Sequence, residues 1–184
     1  MNLSELVIEA KQGSAAAQKY LFEQLSGKML LVCRRYVKSS EDAEEIMLDG
    51  FYKFFKHIAG FNYLGEPALN GWLKKIMINE CLMFLRKKNV FSMVTEAMAE
   101  EIPLQEDALD NLSAAEIFQL IIQLPVGYRT VFNLYAVEGM GHAAIAAVLG
   151  IAEGTSKSQL SKAKALLQKM VLQKGTEYVA RKTN

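Results

Sequence analysis

The stretch from His142 to Leu160, HAAIAAVLGIAEGTSKSQL, decides how the chain is read. Its first eight residues, His142 to Leu149, read as a short helix with a small residue at Ala146. Gly150 follows four residues after Ala146, and the apolar Ile151 comes next. Alanine at 146 lets two helices approach closely, and the glycine makes the sharp turn between them. The helix after the turn carries short polar and basic side chains, Thr155, Ser156, Lys157, Ser158 and Gln159. This is the layout of a helix-turn-helix, whose second helix presents such side chains to a major groove. An ordinary helical hairpin would share the apolar pattern, so the rest of the chain has to decide.

Upstream of this stretch, Ser113-Ala-Ala-Glu116 is a capping box, followed by Ile117, Leu120, Ile121 and Leu124 at helical spacing. Pro125 ends that helix and can start the next, which continues through Val131, Phe132, Leu134 and Tyr135 to Gly139. Downstream, a last long helix is predicted from about Glu153 to Val171. The first half predicts four more helices. Leu3, Leu6, Val7 and Ala10 form one, ended by Gly13, and Ser14 can cap a longer one through Tyr36, interrupted at Gly27. Ser39 or Ser40 caps a third with the stripe Ala43, Ile46, Met47, Gly50, Phe51, Phe54 and Phe55. After a loop from Gly60 to Gly71, Trp72, Leu73, Ile76, Met77, Cys81 and Leu85 mark the fourth.

Of the 184 residues, 51% are hydrophobic and 22% charged, which excludes a disordered chain. Ten apolar residues in a row, Ala143 to Ala152, are too few for a membrane helix, which needs about 20. Met1 to Glu5 show no cationic start or apolar core, so no signal peptide is expected and a cytoplasmic setting fits. Cys33 and Cys81 are the two cysteines, too few for a disulfide scaffold or a zinc site.

The net charge of +1 predicts no partner, but its distribution does. Residues 41–49 hold five acids and no base; residues 74–88 carry a net +4. Residues 91–116 hold seven acids and no base, and residues 152–184 carry a net +5. Two basic blocks separated by an acidic connector suggest two surfaces for a polyanion. The expected fold is therefore all-α. Residues 1–90 form one helical domain, 91–112 an acidic linker containing Pro103, 113–175 a helix-turn-helix domain and 176–184 a tail.

In both halves the chain resembles extracytoplasmic-function sigma factors. Leu124-Pro-Val-Gly-Tyr-Arg-Thr-Val-Phe132, Glu138-Gly139, Ile145-Ala146, Leu149-Gly150-Ile151 and Glu153 to Ser158 are similar to the family's C-terminal DNA-binding region. Arg35-Tyr36, Glu41 to Ile46, Asp49 and Phe51 resemble its polymerase-binding helix. Trp72-Leu73, Ile76, Asn79 and Arg86 resemble the helix that opens and reads the upstream edge of the promoter bubble. The motifs stand in the family's order over roughly residues 5–172.

The resemblance implies a sigma factor that binds core RNA polymerase and directs promoter-specific initiation. By it, Asp42, Glu45, Ile46, Leu48 and Asp49 face the coiled-coil clamp helices of the largest polymerase subunit. An acidic helix repels DNA and so suits a protein partner. Contacts to the promoter −10 element fall to Asn62, Tyr63, Asn70, Lys74, Lys75, Asn79, Arg86, Lys87 and Lys88. In the family the loop before this helix pockets an extruded base. The −35 element falls to Arg129, Thr155, Lys157, Ser158, Ser161 and Lys162, with Arg129 reaching the backbone from a neighbouring helix. Trp72 reads as core rather than as a stacking platform. The family is often held inactive by an anti-sigma factor, and two lobes on a linker are compatible with such clamping. No metal, cofactor or catalytic residue is implied.

The chain departs from the family in places. A β-branched apolar residue is usual where Ser156 stands, an arginine at Gln159 and a bulkier residue at Ser161. An acid is common at Ala144 and near Met83, and a glutamine at Leu48. Ser156 weakens the expected packing of the recognition helix, and Gln159 and Ser161 point to an unusual −35 preference. A helix-turn-helix regulator acting without polymerase would explain residues 113–172 but neither the acidic helix nor the Trp72 helix. A helical enzyme would need more than His57 and His142, the only histidines, and no catalytic or metal-spaced set accompanies them.

Overall fold

The computed structural model describes residues 2–88 and 113–182, with side chains through Gln173. The chain divides into two compact units, Met1–Lys87 and Lys88–Asn184. The acidic linker expected at 91–112 lies outside the described residues.

In the first unit, polar side chains set the helix starts. The Asn2 side chain accepts from Ser4 N–H, and Glu5 reaches back to Asn2 N–H at 3.0 Å, opening α1 (Leu3–Lys11). The chain turns at Gly13, with φ +87°, and Ser14 Oγ accepts from Ala17 N–H to start α2 (Ala15–Tyr36). The expected break at Gly27 is absent. One exposed glycine costs about 1 kcal/mol in a helix, and the buried Leu21, Leu25 and Met29 on either side outweigh it. Ser39, not Ser40, caps α3 (Ser40–His57) by accepting from Asp42 N–H at 3.1 Å.

The loop is shorter than expected. After a 3₁₀ turn at Ile58–Gly60 only residues 61–65 are irregular, and α4 (Glu66–Lys87) has begun before Trp72. Pro67 is no obstacle, because a first-turn residue has no intrahelical partner for the N–H that proline lacks. Asn70 and Gly71 are thus helical, not loop.

Helices α2, α3 and α4 pack on one another, and α1 lies on α2. Tyr36, Phe54, Leu73 and Met77 are fully enclosed. A Cβ at Gly50 would run into the Met77 thioether, so the Met77 side chain fills the space that glycine leaves between α3 and α4. Cys33 and Cys81 are free and buried between α2 and α4. A hydrogen bond to Cys33 and burial push the Cys81 thiol well above its ordinary range, so Cys81 is not primed as a nucleophile.

In the second unit the capping box forms as expected: Ser113 Oγ accepts from Glu116 N–H, and Glu116 accepts from Ser113 N–H at 2.9 Å. It opens α5 (Ala114–Ile121). Pro125 precedes α6 (Val126–Phe132), which loosens into a π turn at Asn133–Val137. Next come α7 (His142–Leu149) and α8 (Glu153–Lys182). Leu120, Ile121, Leu124 and Tyr128 bury against Ala163, Leu167 and Val171 of α8, forming one core, while α7 packs on α8 as well. The last helix outruns its expected end at Val171 and passes through Gly175, so the boundary expected at 175 falls inside a helix. Lys, Glu, Ala and Arg after the glycine are good helix formers that offset it. Among the described residues, no helix is long and apolar enough to cross a membrane.

Candidate functional site

The 3.6-residue period gives α3 two unlike faces. Ala43, Ile46, Met47, Gly50, Phe51 and Phe54 point inward, and Phe51 and Phe54 join an aromatic cluster with Phe22, Phe55 and Trp72. Glu41, Glu44, Glu45, Leu48, Asp49 and Tyr52 are exposed, and Asp42 is half-buried in the first turn. Ile46, expected at the polymerase surface, is only 4% exposed: it is a core residue of the inward stripe with Ala43, Met47 and Gly50. Its apolar place on the outer face is taken by Leu48 and by Tyr52, which is 68% exposed. Tyr52 was legible as the next position of the stripe Glu45, Leu48, Asp49, which advances by three and four residues. Acids interleaved with exposed apolar side chains suit a protein partner rather than a polyanion.

The opposite charge gathers on α4. Lys75, Asn79, Arg86, Lys87 and Lys88 are exposed, and Lys74 is half-buried. Glu80, the one acid of this block, is turned toward α3, where both its carboxylate oxygens lie 2.7 Å from Lys53 Nζ. Asn62 is exposed and Tyr63 half-buried in the 61–65 loop. Asn70 sits instead inside α4, one turn after Glu66, where its Nδ2 donates to Glu66 Oε1 at 3.4 Å. The Trp72 ring stacks on Phe61 at 4.5 Å and 5° and tilts against Phe54, so it braces the loop, in keeping with its reading as core. Leu64, which the sequence reading passed over, is 77% exposed at the loop.

In the second unit, Gly150 takes φ +69°, a conformation that disfavours a side chain. Ile151 N–H closes the turn by donating to Ala146 C=O at 3.1 Å. Helix α8 then sorts its side chains by face. Thr155, Lys157, Ser158 and Ser161 are exposed and Lys162 is half-buried, while Ser156 and Gln159 are buried at 0% and 5%. Gln159 thus points into the unit rather than outward. Lys157 pairs with Glu153 one turn earlier at 2.7 Å, and that bond and charge hold the Glu153 carboxyl below the usual range.

Arg129 also needs correction. It is 4% exposed, and its Nη1 donates to the carbonyls of Ile122 at 3.0 Å and Leu124 at 3.3 Å. Burial lowers its pKa from the ordinary arginine value. It closes the α5–α6 corner and is withdrawn from the −35 set. Nor is Ser156 the packing defect the sequence suggested. Its Oγ is 3.0 Å from His142 Nδ1 at the start of α7, and the His142 ring stacks on Tyr135 at 4.7 Å.

The family model for sigma-70 region 2 matches residues 21–90, and that for sigma-70 region 4 matches residues 109–167. Among curated proteins, the ECF RNA polymerase sigma factor SigM of Mycobacterium tuberculosis is 27% identical over 160 residues, 85% of this chain and 80% of that protein. The ECF RNA polymerase sigma factor SigW of Bacillus subtilis is 24% identical, over 93% of this chain and 97% of that protein. Among solved structures, the sigma factor RpoE from Bartonella quintana, co-crystallised with the anti-sigma factor NepR, is 23% identical. The match covers 84% of this chain and 96% of that chain, with a TM-score of 0.48.

Proposed function

The chain belongs to the sigma-70 family, in its extracytoplasmic-function group, and from that premise we propose how its residues serve promoter-specific initiation by core RNA polymerase. The observation that carries the function is the pair of matched regions, 2 then 4, in one chain and in that order. RNA synthesis itself is the polymerase's chemistry; the chain supplies docking, strand opening and sequence recognition.

The outer face of α3, with Glu45, Leu48, Asp49 and Tyr52, docks on the polymerase. Apolar contact at Leu48 and Tyr52 supplies affinity, and the acids repel DNA while steering the encounter. The first unit engages the −10 element. Lys74, Lys75, Arg86, Lys87 and Lys88 neutralise phosphates, which makes affinity salt-dependent. Asn62, Tyr63 and Asn79 are candidates for an unstacked strand, whose opening costs a few kcal/mol recovered in stacking and edge contacts. The second unit places α8 in the −35 major groove. Lys157 and Lys162 reach guanine edges or phosphate, and Thr155, Ser158 and Ser161 serve any base.

In vitro run-off transcription tests the reading. Purified protein is added to sigma-free core polymerase from its host, with fragmented host genomic DNA as template. Discrete new start sites that share two upstream elements are expected. No initiation, with sequence-selective duplex binding that needs no polymerase, would mean a simple helix-turn-helix regulator.

A further inference from the structure

We propose that the hydrogen bond between His142 and Ser156 is a positioning contact that fixes the rotation of the recognition helix, and with it the selectivity of −35 readout. The inference rests on the −35 reading above. His142 is the first residue of α7, and Ser156 lies in the first turns of α8, so the bond joins the two helices of the helix-turn-helix beside their turn. The Ser156 hydroxyl is wholly enclosed, and the face of the His142 ring is stacked on the Tyr135 ring, above which Lys164 Nζ lies 6.0 Å from the centroid.

The sequence context makes this contact matter. Thr155 and Lys157, two of the groove-facing candidates, are the immediate neighbours of Ser156, so any rotation about the α8 axis moves both. Groups that read a ligand must be held within about 10–20° of their working orientation. An apolar residue at this position, as is usual in the family, fixes distance by packing but has no preferred direction. A hydrogen bond is directional, and the hydroxyl can donate to or accept from the imidazole, so the link survives either tautomer. The charges around it, Glu153 and Lys157 on α8, pair with each other at 2.7 Å.

The test uses the full chain bound to core polymerase. Short duplexes selected from a randomised pool by the wild-type complex are compared with scrambled ones. Ser156→Ala and His142→Phe, which keeps the stacked ring, should each reduce the preference for selected over scrambled duplexes by about tenfold, at the low end of what a direct base contact discriminates. Binding to scrambled duplexes and its salt dependence should stay unchanged, because Lys157 and Lys162 remain. Ser156→Thr, which restores the hydroxyl, should recover the preference, and the double variant should lose no more than either single one. Full selectivity in Ser156→Ala, additive losses in the double variant, or no rescue by Ser156→Thr would overturn the proposal. A wild-type complex that selects no upstream sequence would instead overturn the −35 reading and the proposal with it.

Discussion

Lys53 Nζ lies 2.7 Å from both carboxylate oxygens of Glu80, joining the outward-facing acidic helix α3 to the basic helix α4. The Lys53 side chain is 43% exposed and that of Glu80 only 11%. The lysine is thus partly screened by water, while the carboxylate depends on it. Lys53→Met should destabilise the fold by about 1–2 kcal/mol, less than for a fully buried pair because of that screening. Adding Glu80→Gln should recover part of the loss. Urea unfolding of Lys53→Met, Glu80→Gln and the double variant measures both; additive losses would mean that the two charges act independently.

The two faces of α3 give a prediction in opposite directions. Ile46→Ala removes a core side chain and should cost about 2–4 kcal/mol of stability, with core polymerase affinity reduced only as far as the fold is lost. Leu48→Ala removes an exposed one and should leave stability within about 0.5 kcal/mol while weakening polymerase binding. Charge reversal at Asp42, Glu45 and Asp49 should weaken that binding too. Measuring affinity and melting temperature together separates the classes. Leu48→Ala with undiminished affinity would remove this face from the polymerase interface.

The basic residues of the second unit divide in the same way. Lys157→Ala and Lys162→Ala should each reduce the slope of log affinity against log salt by about 1, with polymerase association intact. Arg129→Met should leave that slope unchanged and destabilise the unit by about 2 kcal/mol, because two inward carbonyls lose a charged donor. A slope altered by Arg129→Met would return this residue to the DNA interface.

These contrasts mark where the sequence was legible. The all-helical class, the capping residues Ser14 and Ser113, the third cap to within Ser39 or Ser40, and the turn at Gly150 were readable, because caps and turns are local chemistry. The face of a residue was legible only when its neighbours were counted by angle. Ile46 belongs to the stripe Ala43, Met47 and Gly50, yet motif resemblance placed it outside. The loop before α4 was drawn too long because Gly65, Pro67 and Gly71 look like breakers, whereas proline in a first turn is permitted. Arg129 and Ser156 could not have been placed, because their partners lie 5 to 14 residues away, in the turn between α5 and α6 and on α7. A polar residue among apolar neighbours announces a partner without naming it.

The ion pair between Glu153 and Lys157 yields the last prediction. Lys157 Nζ is 2.7 Å from Glu153 Oε1, and both side chains are about half exposed or more. To contact DNA, Lys157 has to leave this carboxylate, which itself repels phosphate. Glu153→Gln should therefore tighten duplex binding several-fold at low salt, and the advantage should shrink as added salt screens both charges. The pH dependence follows from the direction of the Glu153 shift. Because Lys157 lowers its pKa in the folded chain, the pair's contribution is present above the unfolded-state value and lost only as pH falls through the depressed one. Between about pH 6 and 8 the effect of Glu153→Gln should thus stay constant. Fluorescence anisotropy with a labelled duplex at two salt concentrations and two pH values provides the comparison. Equal affinity of wild type and variant at low salt would mean that Lys157 stays paired with Glu153 and does not touch the DNA.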